Sequence, residues 1–169
     1  MSAFGGANRR AVPKVVQKSR VESGEYVFGL DRELKEKERA KHDPQLEAQA
    51  IAFIEELAGR ALEGDMMDAL KDGILLCEAI NAIKPKAVRR INKSRLPFKQ
   101  MENVSNFIKA CRALGVPEYA LFTTPDLYDG KSRNNVVNGI VALGSKAQTL
   151  PGYSGPLRKH EGNNQWTVA

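Results

Sequence analysis

Apolar residues recur with helical spacing through the middle of this chain, and the two ends lack that pattern. From Asp31 the sequence reads Arg-Glu-Leu-Lys-Glu-Lys-Glu-Arg-Ala-Lys, with acids and bases three or four residues apart and Leu34 as its only large apolar residue. That composition predicts a solvated helix over about 31–42, supported by charge pairs on its own surface. Asp43-Pro44 is a helix start, a capping side chain followed by proline at the first helical position. Leu46, Ala50, Phe53 or Ile54, Leu57 and Ala61 then follow at helical spacing, with the end expected between Gly59 and Gly64. A short polar link leads to Leu70-Lys-Asp-Gly73.

Ile74 to Ile83 is apolar on nearly every side, which places that helix in the middle of a core, and Pro85 stops it. Residues 84–99 show no clear periodicity and read as a connection. Met101, Val104, Phe107 with Ile108, Cys111 and Leu114 predict another amphipathic helix, closed by Gly115. Pro117 to Gly130 is turn-rich, with room for one or two short helical turns. Val136-Val137, Ile140, Leu143 with Gly144, and Ala147 mark a last helix. No strand signal exceeds a few residues. The expectation is an all-α domain built as a compact bundle of four main helices plus short connecting helices. Residues 1–28 read as a flexible basic arm, 29–149 as the domain with its leading charged helix at about 31–42, and 150–169 as a flexible tail.

Charge sharpens this picture. The chain carries a net +6. Residues 1–20 hold Arg9, Arg10, Lys14, Lys18 and Arg20 and no acid, a local +5. Residues 84–99 hold Lys84, Lys86, Arg89, Arg90, Lys93, Arg95 and Lys99 and no acid, a local +7. The remainder is therefore −6. Two basic segments on a mildly acidic protein favour encounter with polyanionic surfaces and make binding salt-sensitive. Val88, Ile91, Leu96 and Phe98 lie among the second set of charges. In the plainest reading they pin the segment to the core while the cations face water. Seven like charges in one segment still repel unless a partner is provided.

Other classes find little support. The chain is 42% hydrophobic, and no apolar run approaches the roughly 18 residues of a membrane helix. Residues 1–20 lack a signal-peptide pattern, so a cytosolic protein is expected. Cys77 and Cys111, both inside helical apolar patterns, then read as buried reduced thiols. The sequons Asn92-Lys-Ser94 and Asn103-Val-Ser105 carry no meaning without secretion. Neither glycine-rich nucleotide-binding pattern occurs. His42 and His160 are far apart, and no cysteine has a ligand-spaced neighbour. Asp126, Asp129 and Gly130 lack the spacing of a calcium loop. Glu55-Glu56 reads as a solvated face, and Asp72 as a cap beside Gly73. No catalytic, metal or cofactor residues are assigned.

Several ordered stretches carry a family resemblance. Leu70-Lys-Asp-Gly-Ile-Leu-Leu-Cys-Glu-Ala-Ile-Asn-Ala-Ile-Lys-Pro85 resembles the signature of calponin-homology domains. Met101-Glu-Asn-Val-Ser-Asn-Phe-Ile-Lys-Ala110 with Gly115-Val116 resembles that family's next helix, and Phe122 with Asp126-Leu127 its segment before the last helix. Phe28-Gly-Leu-Asp-Arg-Glu-Leu, Lys41-His-Asp and Leu46-Glu are similar to the calponin and transgelin branch. The resemblance spans roughly residues 28–148. It implies the calponin-homology fold and a non-enzymatic, cofactor-free, cytoplasmic protein that binds actin filaments and, as several transgelin-like proteins do, cross-links them. Apart from the resemblance, a monomer or weak self-association is expected. Two departures stand out: Phe53 where the family often has tryptophan, and Pro151-Gly-Tyr-Ser-Gly-Pro156 as at best a fragment of the repeat that follows the domain in that branch. The filament contact would then fall on the arm, on residues 84–99, or on Arg158 and Lys159. Alternatives are an adaptor for another protein or microtubules, or a nucleic-acid or anionic-lipid binder. Nucleic acid is disfavoured because Phe98 is the only aromatic among the charges.

Overall fold

Local capping sets most of the helix starts. The computed structural model describes residues 29–158 and the dipeptides 19–20, 26–27 and 166–167, with side chains for 32–156 apart from 35, 38 and 39. The chain folds as two units, Met1–Ala40 and Lys41–Ala169. In the first, β1 (Ser19–Arg20) pairs antiparallel with β2 (Tyr26–Val27), Ser19 opposite Val27, ahead of α1 (Gly29–Ala40). Arg32 donates to Glu36 at 2.8 Å one turn along, and Leu34 is exposed, as a solvated helix requires. The helix ends at Ala40, so His42 lies in the turn beyond it. The other residues read as the arm lie outside the described ones.

The second unit opens with α2 (Pro44–Ala58), where Asp43 Oδ1 accepts from the backbone N–H groups of Gln45 at 2.9 Å and Leu46 at 3.2 Å. Gly59 closes it, and Ala61, expected on the helix, is exposed beyond its end. Glu55 accepts from the Leu62 N–H at 2.7 Å, so one of the two acids expected to be solvated instead holds the following loop. A five-residue helix, α3 (Met66–Leu70), stands where a polar link was expected. Asp65 caps it at the Met67 N–H, and Met66, Met67 and Leu70 all turn inward. Then come α4 (Ile74–Ile83), α5 (Pro97–Leu114), a 3-10 turn at Glu118–Ala120, α6 (Thr124–Tyr128) with a Thr123–Asp126 capping box, and α7 (Arg133–Ala147). The structure starts α5 at Pro97, four residues before the first periodic apolar residue, because proline suits the first helical turn. Beyond α7, Tyr153 donates to the Pro156 carbonyl at 3.0 Å, and β3 (Leu157–Arg158) pairs with β4 (Trp166–Thr167). The remaining tail residues lie outside the described ones.

The fold is the expected all-α bundle: α2, α4, α5 and α7 surround one core, and the strand pairs are two residues long. Phe53, Ile54, Leu76, Ile80, Val104, Phe107, Ile140 and Leu143 are all buried. Phe107 stacks on Phe122 with ring centroids 6.0 Å apart. Gly139 makes room for that ring, since a Cβ there would sit 2.6 Å from Phe122 Cδ1. Cys77 and Cys111 are free and buried, as expected; burial raises both thiols, Cys77 to about 12.

Arg133, at the start of α7, ties the bundle's ends. It donates to Glu47 on α2 at 2.6 Å and to Asp65 at the start of α3 at 2.5 Å, and His42 lies 3.2 Å from the other Glu47 oxygen. The Arg133 hydrogen bond holds the Asp65 carboxyl below its ordinary range. A depressed carboxylate stabilises the fold above the unfolded-state pKa, and that contribution is lost as pH falls through the folded value. Replacing Asp65 with asparagine is therefore expected to flatten the loss of stability below about pH 4, measured as melting temperature against pH. Leu76→Ala is expected to cost about 2–5 kcal/mol in denaturant unfolding, because Leu76 is fully enclosed and the neighbours can only partly collapse.

Candidate functional site

The basic segment is an irregular stretch of chain fixed by two asparagines. After α4 the chain turns at Pro85, and Lys86 takes the left-handed backbone conformation at φ 65°, uncommon for a residue with a side chain. Asn81 on α4 then grips Val88 from both sides: the Val88 N–H donates to Asn81 Oδ1 at 2.8 Å, and Asn81 Nδ2 donates to the Val88 carbonyl at 2.9 Å. Four residues on, Asn103 of α5 does the same for Asn92. The Asn92 N–H donates to Asn103 Oδ1, and Asn103 Nδ2 donates to the Asn92 carbonyl, both at 2.8 Å. The same Nδ2 donates to the Asp72 carbonyl at 2.9 Å, and the Cys77 thiol donates to the Asn103 carbonyl at 3.3 Å.

Asn103 is 0% exposed, and its carboxamide has partners for both ends, which removes the cost of burying a polar group. Close approach is possible because of Gly73, whose φ is +70° and where a Cβ would meet Asn103 Cβ and Val104 N at 2.8 Å. Asp72 completes the junction as expected, accepting from the Ile74 N–H at 2.9 Å. Val88 is buried, and Ala87 and Ile91 pack partly against the core. Leu96 and Phe98 do not pin the segment as expected; they are 53% and 56% exposed. Met101, expected on the buried face of α5, is also exposed, because the helix phase is set by Asn103, Val104, Phe107, Ala110, Cys111 and Leu114.

The structure gathers part of the expected cation set. Lys84, Lys86, Arg89, Arg90, Lys93 and Arg95 are exposed, and among the described residues none forms an ion pair. Lys99 differs: it is half-buried and bonds Glu102 at 2.9 Å, which holds that carboxyl below its ordinary range. Asn92 Nδ2 also donates to Glu102, at 3.1 Å. A cleft of about 410 Å³ runs between this segment and α5, lined by Ala87, Val88, Arg89, Arg90, Asn106, Lys109, Ala110 and Ala113. Lys109 thus joins the two arginines, a cation that sequence spacing alone left unconnected. Arg9, Arg10, Lys14, Lys18 and Lys159 lie outside the described residues. The backbones of Arg20 and Arg158 lie in β1 and β3. Among the described residues, no helix is long and apolar enough to cross a membrane, and no group of three or more His, Cys, Asp or Glu side chains is placed to hold a metal.

Residues 44–149 match the calponin homology (CH) domain family. Myophilin of Echinococcus granulosus is 42% identical over 132 residues, covering 76% of this chain and 70% of that protein. Rac guanine nucleotide exchange factor B of Dictyostelium discoideum is 37% identical over 128 residues, which cover 75% of this chain but 11% of that far longer protein. The calponin-homology domain of Rng2 from Schizosaccharomyces pombe shares 28% identity with a TM-score of 0.56, covering 73% of this chain and 79% of that one. The corresponding domain of an IQGAP protein from the same organism gives 25% and 0.57 over the same shares.

Replacing Asn103 with alanine is expected to lower stability by about 3 kcal/mol, since it leaves the Asn92 N–H and two carbonyls without partners. Denaturant unfolding measures it, and faster amide exchange at Asn92 would locate the loss in the basic segment.

Proposed function

Because the chain belongs to the calponin-homology domain family, we propose that it is an actin-filament-binding protein whose principal contact is the 84–95 stretch. One observation carries this reading: six exposed cations, unpaired among the described residues, stand on a backbone fixed by Asn81 and Asn103. Solvated like charges brought together repel one another, so a folded chain that holds them in place gains only when a polyanionic partner arrives. Preorganisation then works in favour of binding, because little backbone freedom at Val88 and Asn92 remains to be lost. The polymer of acidic subunits in a filament presents such a partner repeatedly.

On this reading the protein is non-enzymatic, cytoplasmic and cytoskeleton-associated. Arg9, Arg10, Lys14, Lys18 and Arg20 in the arm, with Arg158 and Lys159 in the tail, supply a second contact. Two contacts on one small chain are what cross-linking of neighbouring filaments requires.

The test is co-pelleting with actin filaments across a salt series. Affinity is expected to fall steadily with added salt. Arg89→Glu combined with Arg90→Glu is expected to weaken binding roughly tenfold at low salt, the order set by two exposed charge contacts reversed. Stability should change by less than about 1 kcal/mol, since both side chains are exposed. An unchanged affinity in the double variant would move the contact away from this segment. Failure of the parent chain to pellet at any salt, with pelleting on microtubules instead, would overturn the actin reading.

A further inference from the structure

Five large apolar side chains are exposed among the described residues: Leu34, Leu96, Phe98, Met101 and Tyr119. Three of them fall within six residues, at the junction where the basic segment enters α5. Exposed apolar groups scattered singly need no explanation, but a cluster beside a set of cations does. Lys93 and Arg95 precede them and Lys99 falls among them, with Lys99 Nζ 5.3 Å from the centre of the Phe98 ring.

We propose that this junction is a docking wedge for an anionic bilayer: Leu96, Phe98 and Met101 enter the interfacial layer while Lys93, Arg95 and the neighbouring arginines meet lipid phosphates and carboxylates. Aromatic and aliphatic side chains framed by lysine and arginine are the composition that partitions to such an interface, and charge near the surface and apolar burial add to one another there. A second copy of this chain is a poor occupant, because its own acid-free +7 segment would face this one. The shape of the site also favours lipid. Leu96 and Phe98 stand at a loop–helix junction, and a fluid surface accepts protruding side chains without a matching cavity. Phe98 and Met101 stand on α5, and the Leu96 carbonyl accepts from the Lys99 and Gln100 N–H groups of its first turn, so the wedge is presented without first being ordered. This contact needs no filament and stands or falls apart from the actin reading.

The experiment is flotation of the full chain with vesicles of phosphatidylcholine alone and of phosphatidylcholine mixed with phosphatidylserine, at low and at physiological salt. The parent chain is expected to float with the mixed vesicles and not with the neutral ones. Leu96→Ser combined with Phe98→Ser is expected to lower the bound fraction about tenfold or more, from the loss of two inserted apolar side chains. Both positions are exposed, so the helical circular dichroism and melting temperature of this variant should match the parent and separate a lost contact from a lost fold. Flotation of the double variant as efficient as the parent's would overturn the wedge. So would absence of parent flotation with the mixed vesicles. If the same double variant loses pelleting with actin filaments while the parent ignores vesicles, the patch belongs to a protein partner and the bilayer proposal is wrong.

Discussion

The buried carboxamide of Asn103 is the interaction on which the rest of the site depends. It sits on α5 with no exposure, yet it reaches the loop before α4 through the Asp72 carbonyl and the basic segment through both backbone groups of Asn92. Few side chains can do this. An aspartate would accept but not donate, and would bring a charge into the core. A leucine would fill the volume and leave one N–H and two carbonyls without partners. The geometry further demands that α5 come against the chain at residue 73, where only glycine leaves room and takes φ +70° without strain. Asn103 and Gly73 are therefore one requirement expressed at two positions.

That requirement bears on function because the segment it holds resists being held. Seven cations without an acid favour an expanded chain, and irregular backbone at a surface ordinarily relies on water for its hydrogen bonds. Asn81 and Asn103 replace that water at Val88 and Asn92, while the buried Val88 side chain supplies an apolar anchor at the first grip. Arg89 and Arg90 lie directly between the fixed points. Their charge is thereby presented on a stable frame, with Lys109 of α5 across the cleft.

The helices were legible where the signals are local. Asp43-Pro44, Gly115 and the all-round apolar stretch 74–83 each carry their own cause, and the structure agrees at each. α3 was not legible, because five residues are too few to display a period and Asp65 reads equally well as part of a polar link. Met101 misled for a different reason: the first apolar residue of a pattern is taken to set its phase, whereas the buried row of α5 begins at Asn103. The clamp itself was hidden by its polarity. Asn92 was visible only as a sequon asparagine and Asn103 as that and as a member of a helical stretch, and hydropathy assigns such residues to the surface. One sign pointed inward. Asn103 stands four residues before Phe107, on the row that continues to Cys111 and Leu114, so helical phase places it inside whatever its polarity.

Arg89, Arg90, Lys93 and Arg95 share one short run of chain with the exposed Leu96, Phe98 and Met101. A rigid run of that length cannot lie against two extended surfaces at once. If filament and bilayer both engage it, each must lower the apparent affinity for the other by the same factor, since coupling between two ligands is reciprocal. The two contacts would still differ in kind. Contact through Arg89 and Arg90 is charge alone and weakens steeply as salt screens it. Contact through Leu96 and Phe98 adds apolar burial, which salt does not screen, to the attraction of Lys93 and Arg95 for anionic headgroups, which it does. Raising ionic strength would therefore weaken both contacts, the bilayer contact less steeply, and the position of the balance is set by how much of the segment's attraction is carried by charge and how much by Leu96, Phe98 and Met101.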